Sequence, residues 1–315
     1  MKKIICLILS VMLIVVMLCA CDISDSNGNG DGKKVSVITT IFPSYDFARQ
    51  VGGENVDLTM LIKPGMESHN YDPTPQDIIK IQECDLFIYT GGESDEWVKD
   101  ILESGDEQPK KTLALMDCVD TVQEDTVEGM TAQQEEGDEI EYDEHVWTSP
   151  KNALTISKKI SEALIELDPE NENTYKKNTN NYAKELSVLD NEFAEVVDNG
   201  KRRLLIFGDR FPFRYFADEF GLSYFAAFPG CSSETEPSAA TVSFLIDKVQ
   251  EKKIPVVFTI EFSNCKVADT ICEATGVKKL EMHSCHNVTQ EDFDKGITYV
   301  SLMRENLGNL REALA

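Results

Sequence analysis

Histidines are scarce in this sequence, and two of its four lie together near the end of the chain. The stretch Glu281–Asn287, EMHSCHN, places His283 and His286 on either side of a cysteine, whereas His69 and His145 lie in the first half. Imidazole, thiolate and carboxylate groups are the protein ligands that zinc and related divalent cations prefer. These residue types therefore favour metal binding, although an isolated histidine is more often a hydrogen-bonded surface residue.

Backbone geometry decides which residues of EMHSCHN can act together. Side chains three positions apart on an extended strand point to opposite faces, so His283 and His286 can share one ion only if the chain turns after Met282. His283 directly follows the strand predicted for 277–282 and is favoured as the ligand. His286 and Cys285 are additional ligands or supporting neighbours, and Cys285 is also a candidate for a disulfide.

The predicted strands select the other candidates. Ligands of open α/β sheets bind beyond the carboxyl ends of the strands, where loops converge. The candidates are His69 after strand 56–62, His145 before the helix that Ser149 caps, Asp209 after strand 203–207, Glu261 after strand 254–260 and His283 after strand 277–282. Together they predict a mixed nitrogen and oxygen site between two lobes. Asp209 also fits a helix N-cap before Pro212, and Glu261 fits a partner for a lysine.

Short strands alternate with helical segments along both halves of the chain. This alternation predicts an α/β fold in which each of two lobes has a mainly parallel sheet flanked by helices. Residues 168–200 keep apolar side chains at a spacing of three to four, which predicts one long helix. We expect it to join a first lobe, 35–167, to a second lobe, 201–315, with the metal site in the cleft between them.

The first twenty residues predict an export signal. Lys2 and Lys3 precede an apolar run, 4–18, that is too short for a dedicated membrane-spanning helix. The run ends in LCAC at residues 18–21, which resembles a bacterial lipobox, and a polar tether follows to residue 34. The prediction is cleavage before Cys21 and lipidation of its thiol, which would anchor the protein outside the bacterial cell membrane. The alternatives are an ordinary secretory signal and a weak membrane-anchor helix.

The charge balance excludes one class of partner. Removing residues 1–20 removes two lysines and no acidic residue, leaving 28 basic and 56 acidic residues and a net charge of −28. Nucleic-acid binding needs clustered lysine and arginine, so no nucleic-acid partner is expected. Residues 117–144 hold twelve acidic residues, no lysine or arginine, and no strand or helix periodicity. They predict an exposed acidic loop.

Two blocks of the sequence closely resemble one protein family. Residues 63–77, KPGMESHNYDPTPQD, match the P-G-x-x-x-H-x-Y-x-P-T-P signature of the solute-binding lipoproteins of zinc and manganese ABC importers, the zinc-uptake component A family. Residues 143–153, DEHVWTSPKNA, resemble its D-P-H-x-W-x-x-P-x-N-A block, with Glu144 in place of proline. With shorter matches at 83–92, 213–217, 236–238 and 298–307, the resemblance covers about residues 35–315.

The resemblance implies a metal held between the lobes by His69, His145 and two ligands of the second lobe. The family places a histidine or glutamate shortly before its Phe-x-Tyr-Phe motif, and Asp209 is the candidate here, one residue early. The fourth family ligand is usually the aspartate of an Asp-Ser pair after the last strand, a place held here by His283 and Ser284. Three histidines with one carboxylate favour Zn²⁺, and two of each would favour Mn²⁺.

The expected function is the extracytoplasmic substrate-binding component of a metal ABC importer. As a monomer that is not an enzyme, the protein would deliver Zn²⁺ to a permease driven by a cytoplasmic ATPase. A zinc hydrolase is the runner-up; Glu261 would be its general base, but no HExxH or comparable motif supports it. A surface adhesin with the same fold is the third class. The acidic loop lies where many zinc-type members carry a histidine-rich loop, and fits weak cation capture or a solvated spacer.

Overall fold

The computed structural model describes residues 33–66, 71–104, 108–130, 141–232 and 236–315. Residues 34–315 form one compact unit. The predicted export signal, the predicted lipidation site Cys21, the tether as far as residue 32 and the candidate ligand His69 all lie outside the described residues. In the part of the chain that the structure describes, no helix is long and apolar enough to cross a membrane.

The first lobe is built on four short strands. They are β1 (Val35–Thr39), β2 (Val56–Met60), β3 (Leu86–Tyr89) and β4 (Lys111–Ala114). The sheet order is β2-β1-β3-β4, and all three pairings are parallel. The central strands β1 and β3 are apolar and almost completely buried, as expected where helices cover both faces of a parallel sheet.

Four helices accompany this sheet, and local sequence signals start two of them. They are α1 (Phe42–Gly52), α2 (Pro75–Glu83), α3 (Glu96–Ser104) and α4 (Pro150–Leu167). Thr74 and Asp77 form a reciprocal capping box at the start of α2. The Ser149 side chain accepts a hydrogen bond from the amide of Asn152 at the start of α4, with proline in the first turn.

The second lobe repeats the strand order of the first. Its strands are β5 (Leu204–Phe211), β6 (Ser223–Pro229), β7 (Val256–Thr259) and β8 (Lys278–Glu281). They form a parallel sheet in the order β6-β5-β7-β8. The remaining helices are α5 (Glu172–Asp198), α6 (Arg214–Phe220), α7 (Ala239–Lys252), α8 (Lys266–Thr275), α9 (Gln290–Asp294) and α10 (Tyr299–Leu314). The predicted fold, two α/β lobes with a long helix, is confirmed.

One continuous apolar core joins the two lobes. It includes Val37 of β1, Leu189 of α5, Phe258 of β7 and Leu310 of α10. Helix α5 has 27 residues and so is about 40 Å long, and one of its faces is buried along its length. Because this core is packed without a break, we expect the lobes to move little relative to each other.

Hydrogen bonds near the ends of α1 and α10 add to this connection. The buried carboxylate of Asp46 in α1 accepts a hydrogen bond from the amide of Tyr299, in the first turn of α10, at 2.7 Å. The guanidinium of Arg49 donates to the carbonyl oxygen of Ile297 at 2.6 Å. Burial raises the pKa of Asp46, although Arg49 and the Tyr299 amide oppose the shift.

Strand β5 is longer than its sequence pattern predicts. It continues to Phe211, with a shift of register between Phe207 and Arg210. Asp209 therefore lies inside an irregular part of the strand. The next helix begins only at Arg214 and has Phe213 at its N-cap, so Asp209 is not a helix cap. Four further elements, α3, β4, β6 and α9, are not predicted from the sequence at all.

The prediction that residues 117–144 are an exposed loop is wrong for some of the described residues, although others such as Asp117, Asp120 and Asp125 are exposed. Gln123 and Tyr142 form an antiparallel bridge, and Val122 packs against the core. Asp143 and Glu144 are only 1% and 4% exposed. Burial is tolerated because each of these two carboxylates accepts hydrogen bonds from backbone amides.

Candidate metal centre

A cavity of about 270 Å³ lies between the two lobes. It is formed by loops that follow the carboxyl ends of strands, which is where open α/β sheets usually bind ligands. Of the residues selected from the sequence, His145, Glu261 and His286 line the cavity, whereas Asp209, His283 and Cys285 do not. The other lining residues are Gly65, Met66, Arg210, Pro212, Gly230, Ile260, Phe262, Ser284 and Asn287.

His145 is completely buried and is oriented by the carboxylate two residues before it. Asp143 Oδ1 accepts a hydrogen bond from the His145 amide at 2.8 Å and lies 3.1 Å from His145 Nδ1. In the neutral ring this contact places the proton on Nδ1 and the lone pair on Nε2, the arrangement usual for a histidine that binds a metal. Burial acts to lower the pKa of His145, but the negative charge of Asp143 raises it above the usual value.

The second lobe holds Asp143 and His145 in place. The hydroxyl of Tyr215 donates to the Asp143 carbonyl oxygen at 2.7 Å. Gly230 lies so close that a Cβ atom there would be 3.3 Å from both Asp143 Oδ2 and His145 Cε1, and 3.0 Å from the carbonyl oxygen of Phe211. A side chain at position 230 would therefore push against the imidazole or its carboxylate partner.

His286 is the histidine of the second lobe that faces His145. The centres of the two rings are 5.5 Å apart and their planes are almost perpendicular, at 87°. The ring of Trp147 packs against both, at 5.3 Å from His145 and 5.1 Å from His286. Two imidazoles that bind one tetrahedral zinc ion at about 2.0–2.1 Å have ring centres roughly 5 Å apart. The pair therefore fits two ligands of one ion after a small adjustment.

A tight turn after β8 gives His286 this position. Glu261 accepts hydrogen bonds from the Ser284 amide, the Ser284 hydroxyl and the His286 amide, at 2.7, 2.6 and 3.2 Å. Trp147 Nε1 donates to the Ser284 carbonyl oxygen at 2.8 Å. Cys285 adopts a φ of 63°, which reverses the chain between the two histidines. Cys285 is a free, fully buried thiol, not half of a disulfide, and burial raises its pKa well above the usual value.

His283 faces a different environment. Its Nδ1 accepts a hydrogen bond from the Cys285 amide at 2.9 Å, within the turn. Its own amide and carbonyl oxygen are both bound by the side chain of Asn306 in α10, each at 2.7 Å. His283 Nδ1 also lies 3.6 Å from Glu261 Oε1. These contacts fix the shape of the turn, while His286 extends into the cavity.

Asp209 lies beside the cavity without lining it. Its neighbour Gly208 packs so closely on α8 that a Cβ atom would be 2.6 Å from Ala268 Cα, which fixes the irregular backbone here. Burial raises the pKa of Asp209, although hydrogen bonds from Ser263 and from the Arg210 amide oppose the shift. Arg210 is the residue of this segment that lines the cavity, and its guanidinium donates to the Ser232 carbonyl oxygen at 3.3 Å.

The structure describes the chain as far as Met66 before His69 and from Tyr71 after it, whereas residues 67–70 lie outside the described residues. Before His69, the Asn287 side chain donates a hydrogen bond to the carbonyl oxygen of Met66 at 2.8 Å. After it, the Tyr71 hydroxyl donates to Asp77 Oδ2 at 3.1 Å, and the Tyr71 ring packs against Trp97. These contacts give Met66, Tyr71 and Asp77 of the 63–77 block structural roles.

A different group of ligand-type side chains lies near Gly230. Among the described residues it is the only set of three or more His, Cys, Asp or Glu side chains with ligand atoms all within 4.8 Å of one another: Glu124, Glu141 and Cys231. Glu124 Oε1 accepts a hydrogen bond from the Cys231 amide at 3.0 Å. The acidic segment thus reaches the second lobe close to His145.

Residues 37–313 match the family model described as the periplasmic zinc-uptake complex component A. The chain belongs to the zinc-uptake complex component A family. The resemblance inferred from the 63–77 and 143–153 blocks is therefore confirmed. The paired histidines at the cleft, His145 and His286, therefore occur in a member of a metal-uptake family.

Curated relatives of this family member carry names that refer to zinc. The chain is 32% identical over 280 residues to the zinc-binding lipoprotein AdcA of Streptococcus pneumoniae, which covers 89% of the chain and 56% of AdcA. It therefore spans about half the length of AdcA. It is 31% identical over 292 residues to the high-affinity zinc uptake system protein ZnuA of Bacillus subtilis, covering 90% of the chain and 88% of ZnuA.

Solved structures show the same fold in this family. The Zn(II)-bound ZnuA-like domain of S. pneumoniae AdcA has a TM-score of 0.73 at 29% identity and covers 89% of this chain and 99% of that one. The laminin-binding protein Lmb of Streptococcus agalactiae, described as bifunctional with adhesin and metal transporting activity, has a TM-score of 0.73 at 25% identity. It covers 89% of this chain and 100% of that chain.

Sequence reasoning underestimates three residues that line the cavity. His286 is favoured less than His283 because its direction depends on a turn built by distant residues. Gly230 and Asn287 carry no recognisable signal, since the role of each depends on contacts with the other lobe. The one local pattern that suggests His286 as a ligand is its spacing of three residues from His283.

Proposed function

We propose that this protein is the extracytoplasmic substrate-binding component of a metal ABC importer, which captures Zn²⁺ and delivers it to a membrane permease driven by a cytoplasmic ATPase. The observation that carries the proposal is the pair of imidazoles, His145 and His286, which face each other across the inter-lobe cavity in a member of the zinc-uptake family. Imidazole nitrogen is a ligand suited to zinc.

The proposed ligands are His69 and His145 from the first lobe and His286 from the second. His286 replaces His283 as the preferred ligand because only His286 lines the cavity and faces His145. Three imidazoles favour zinc over manganese, which is the alternative cargo. Asp209 is retained as a candidate fourth ligand, although it does not line the cavity and its carboxylate is hydrogen-bonded to Ser263.

Glu261, Cys285 and His283 are proposed to support the site without binding the ion. Glu261 uses both carboxylate oxygens to hold the turn that presents His286. This engagement also argues against the zinc hydrolase alternative, because a general base must be able to take a proton from a metal-bound water. We therefore propose that the protein is not an enzyme.

We propose that the protein is attached to the cell through its first residues. A lipid on Cys21 and a tether to residue 34 would hold a monomeric binding protein near its permease on the outer face of the membrane. The continuous core between the lobes favours capture and release through loop movements, since rotation of whole lobes would break buried packing.

Growth of a deletion strain in zinc-depleted medium tests the transport proposal. We expect the strain to grow poorly there, to recover with added zinc and not with added manganese, and to recover when the gene is restored. A restored gene carrying His145→Ala should fail to rescue growth. Normal growth of the deletion strain, with loss of attachment to host matrix proteins such as laminin, would favour the adhesin class.

A further inference from the structure

The loop that leads into His69 is fastened to the second lobe by the side chain of Asn287. Asn287 is 5% exposed, and its amide nitrogen donates to the carbonyl oxygens of Lys63 and Met66 at 2.9 and 2.8 Å. Both carbonyls belong to the loop that follows β2 in the first lobe. Asn287 itself directly follows His286 on the turn after β8.

A third hydrogen bond reinforces this contact. The amide of Gly65 donates to the carbonyl oxygen of Val288 at 2.8 Å. Gly65 has a φ of 79°, a left-handed conformation that favours glycine and lets the loop turn its carbonyl groups towards Asn287. Residues 63–66 therefore make three hydrogen bonds to the second lobe within four positions.

Burial contributes little to holding this loop. Lys63, Gly65 and Met66 are all exposed, and Met66 is 44% exposed. A segment with little buried apolar surface opens easily, so the hydrogen bonds decide how often it does. The primary amide of asparagine suits this position because its NH₂ group supplies two donors for two carbonyl oxygens. An aspartate would instead place an acceptor against two acceptors.

We infer that Asn287 is a positioning residue for metal retention: it holds the loop that leads to His69 against the turn that presents His286, and so slows release of the bound ion. The inference rests on the proposed function, because it takes His69 and His286 as ligands from opposite lobes. Asn287 does not bind the ion. It raises the fraction of time during which both ligands are in place.

Removal of the Asn287 side-chain amide should mainly increase the rate at which zinc dissociates. We expect association to be limited by the encounter of zinc with the cavity rather than by loop opening, so loss of Asn287 should change the association rate little. Release requires the loop to open while the ion is held, and that step becomes more frequent without Asn287. The expected signature is a faster dissociation rate with little change in the association rate.

Asn287→Ala tests the inference, with Asn309→Ala as a matched control. The Asn309 amide also donates to a carbonyl oxygen next to this turn, that of Glu281 at 2.7 Å, but it contacts no residue of the 63–66 loop in the described structure. Each variant is made in the whole chain. Amide hydrogen exchange of the metal-free protein and stopped-flow transfer of zinc to an excess of chelator are then measured.

In Asn287→Ala we expect exchange of the Gly65 and Met66 amides to be about tenfold faster, equivalent to 1.4 kcal/mol. Zinc release should be about tenfold faster, and zinc association should change by less than about twofold. Exchange of the His286 amide, which Glu261 holds, should stay within about twofold of wild type. Asn309→Ala should leave the loop exchange and the zinc release rate unchanged.

Three results would overturn the inference. They are unchanged loop exchange in Asn287→Ala, faster loop exchange without faster zinc release, or the same effects in Asn309→Ala. Failure of the wild-type protein to bind zinc is a separate result: it would overturn the proposed function. Amide hydrogen exchange of residues 63–66 in Asn287→Ala would still show whether Asn287 holds this loop against the second lobe.

Discussion

His286 and His283 differ in the surroundings of their imidazole rings, and one turn of the backbone causes the difference. The turn reverses at Cys285, where φ is 63°, and Glu261 and Trp147 hold it from outside the segment. Without the turn, both histidines would continue a strand and point to opposite faces. With it, His286 faces His145 while His283 supports the turn from within.

Substitution of the two histidines tests this distinction. Loss of a supporting neighbour typically lowers metal affinity about 10- to 100-fold, so loss of a direct ligand should cost about 100-fold or more. We expect His286→Ala to weaken zinc binding by about 100-fold or more and His283→Ala by less, about 10- to 100-fold. Competition with a chromophoric chelator measures both. The reverse order of effects would show that His283 is the ligand.

Sequence reasoning identifies most of the chemistry but not the arrangement of this turn. The candidates at strand ends follow from the apolar strands before them, and His145 and Glu261 do reach the cavity. The position of His286 cannot be predicted in the same way. It depends on hydrogen bonds that Glu261 accepts and Trp147 donates, and these residues lie 25 and 139 positions away from His286 in the sequence.

Among the elements, close packing between strand-end loops shapes the site. The segment after β6 passes His145 at Gly230, where a Cβ atom would lie 3.3 Å from the imidazole Cε1. Contacts at this distance require a neighbour to shift by a few tenths of an ångström. Such a shift matters more for metal binding than for folding, because metal ligands need precise positions.

Gly230→Ala should therefore impair the site more than the fold. We expect zinc affinity to fall about tenfold and the free energy of unfolding to fall by about 1 kcal/mol. Gly308→Ala is the matched control, since Gly308 lies in α10 with no atom within 4 Å of an added Cβ. It should raise the free energy of unfolding by about 0.5–1 kcal/mol and leave zinc affinity unchanged. Equal zinc affinity in both variants would contradict the prediction.

The turn between β3 and α3 contains a buried carboxylate, Asp95, whose titration affects stability. Asp95 accepts hydrogen bonds from the amides of Thr90 and Gly91, at 2.7 and 3.1 Å. Burial raises its pKa to about 7; these two amides oppose the shift and Glu144 adds to it. Because the folded protein binds this proton more tightly than the unfolded chain, the contribution is complete below pH 4 and is lost as the pH rises through about 7.

Asp95→Asn removes this titration while keeping an oxygen that accepts both hydrogen bonds. The variant should gain stability relative to wild type as the pH rises from 4 to 8, by more than about 1 kcal/mol at the upper end. Urea unfolding at a series of pH values measures the difference. A difference that stays constant with pH would show that Asp95 has an ordinary pKa.

Across the whole molecule, the shared core limits the motions available for capture and release. Apolar residues of both sheets and of α5 and α10 form one cluster, so separation of the lobes would expose buried surface. The periodicity of α5 predicts a connecting helix. The extent of the shared core follows from tertiary packing and is not visible in any local pattern.

Local ordering is the expected response to zinc. Hydrogen exchange should slow in the segments next to His69 and around residue 210, while exchange in β1 and α5 stays the same. Slower exchange throughout both lobes would indicate closure of whole lobes instead. Unchanged exchange next to His69 would contradict the proposed role of that histidine.

Direct metal titration of the purified protein tests the central claim. In competition with a chelator of known affinity, we expect the wild-type protein to bind a single zinc ion and to prefer zinc to manganese. His69→Ala and His145→Ala should each weaken zinc binding by about 100-fold or more. A preference for manganese, or zinc affinity that remains intact in both variants, would contradict the account.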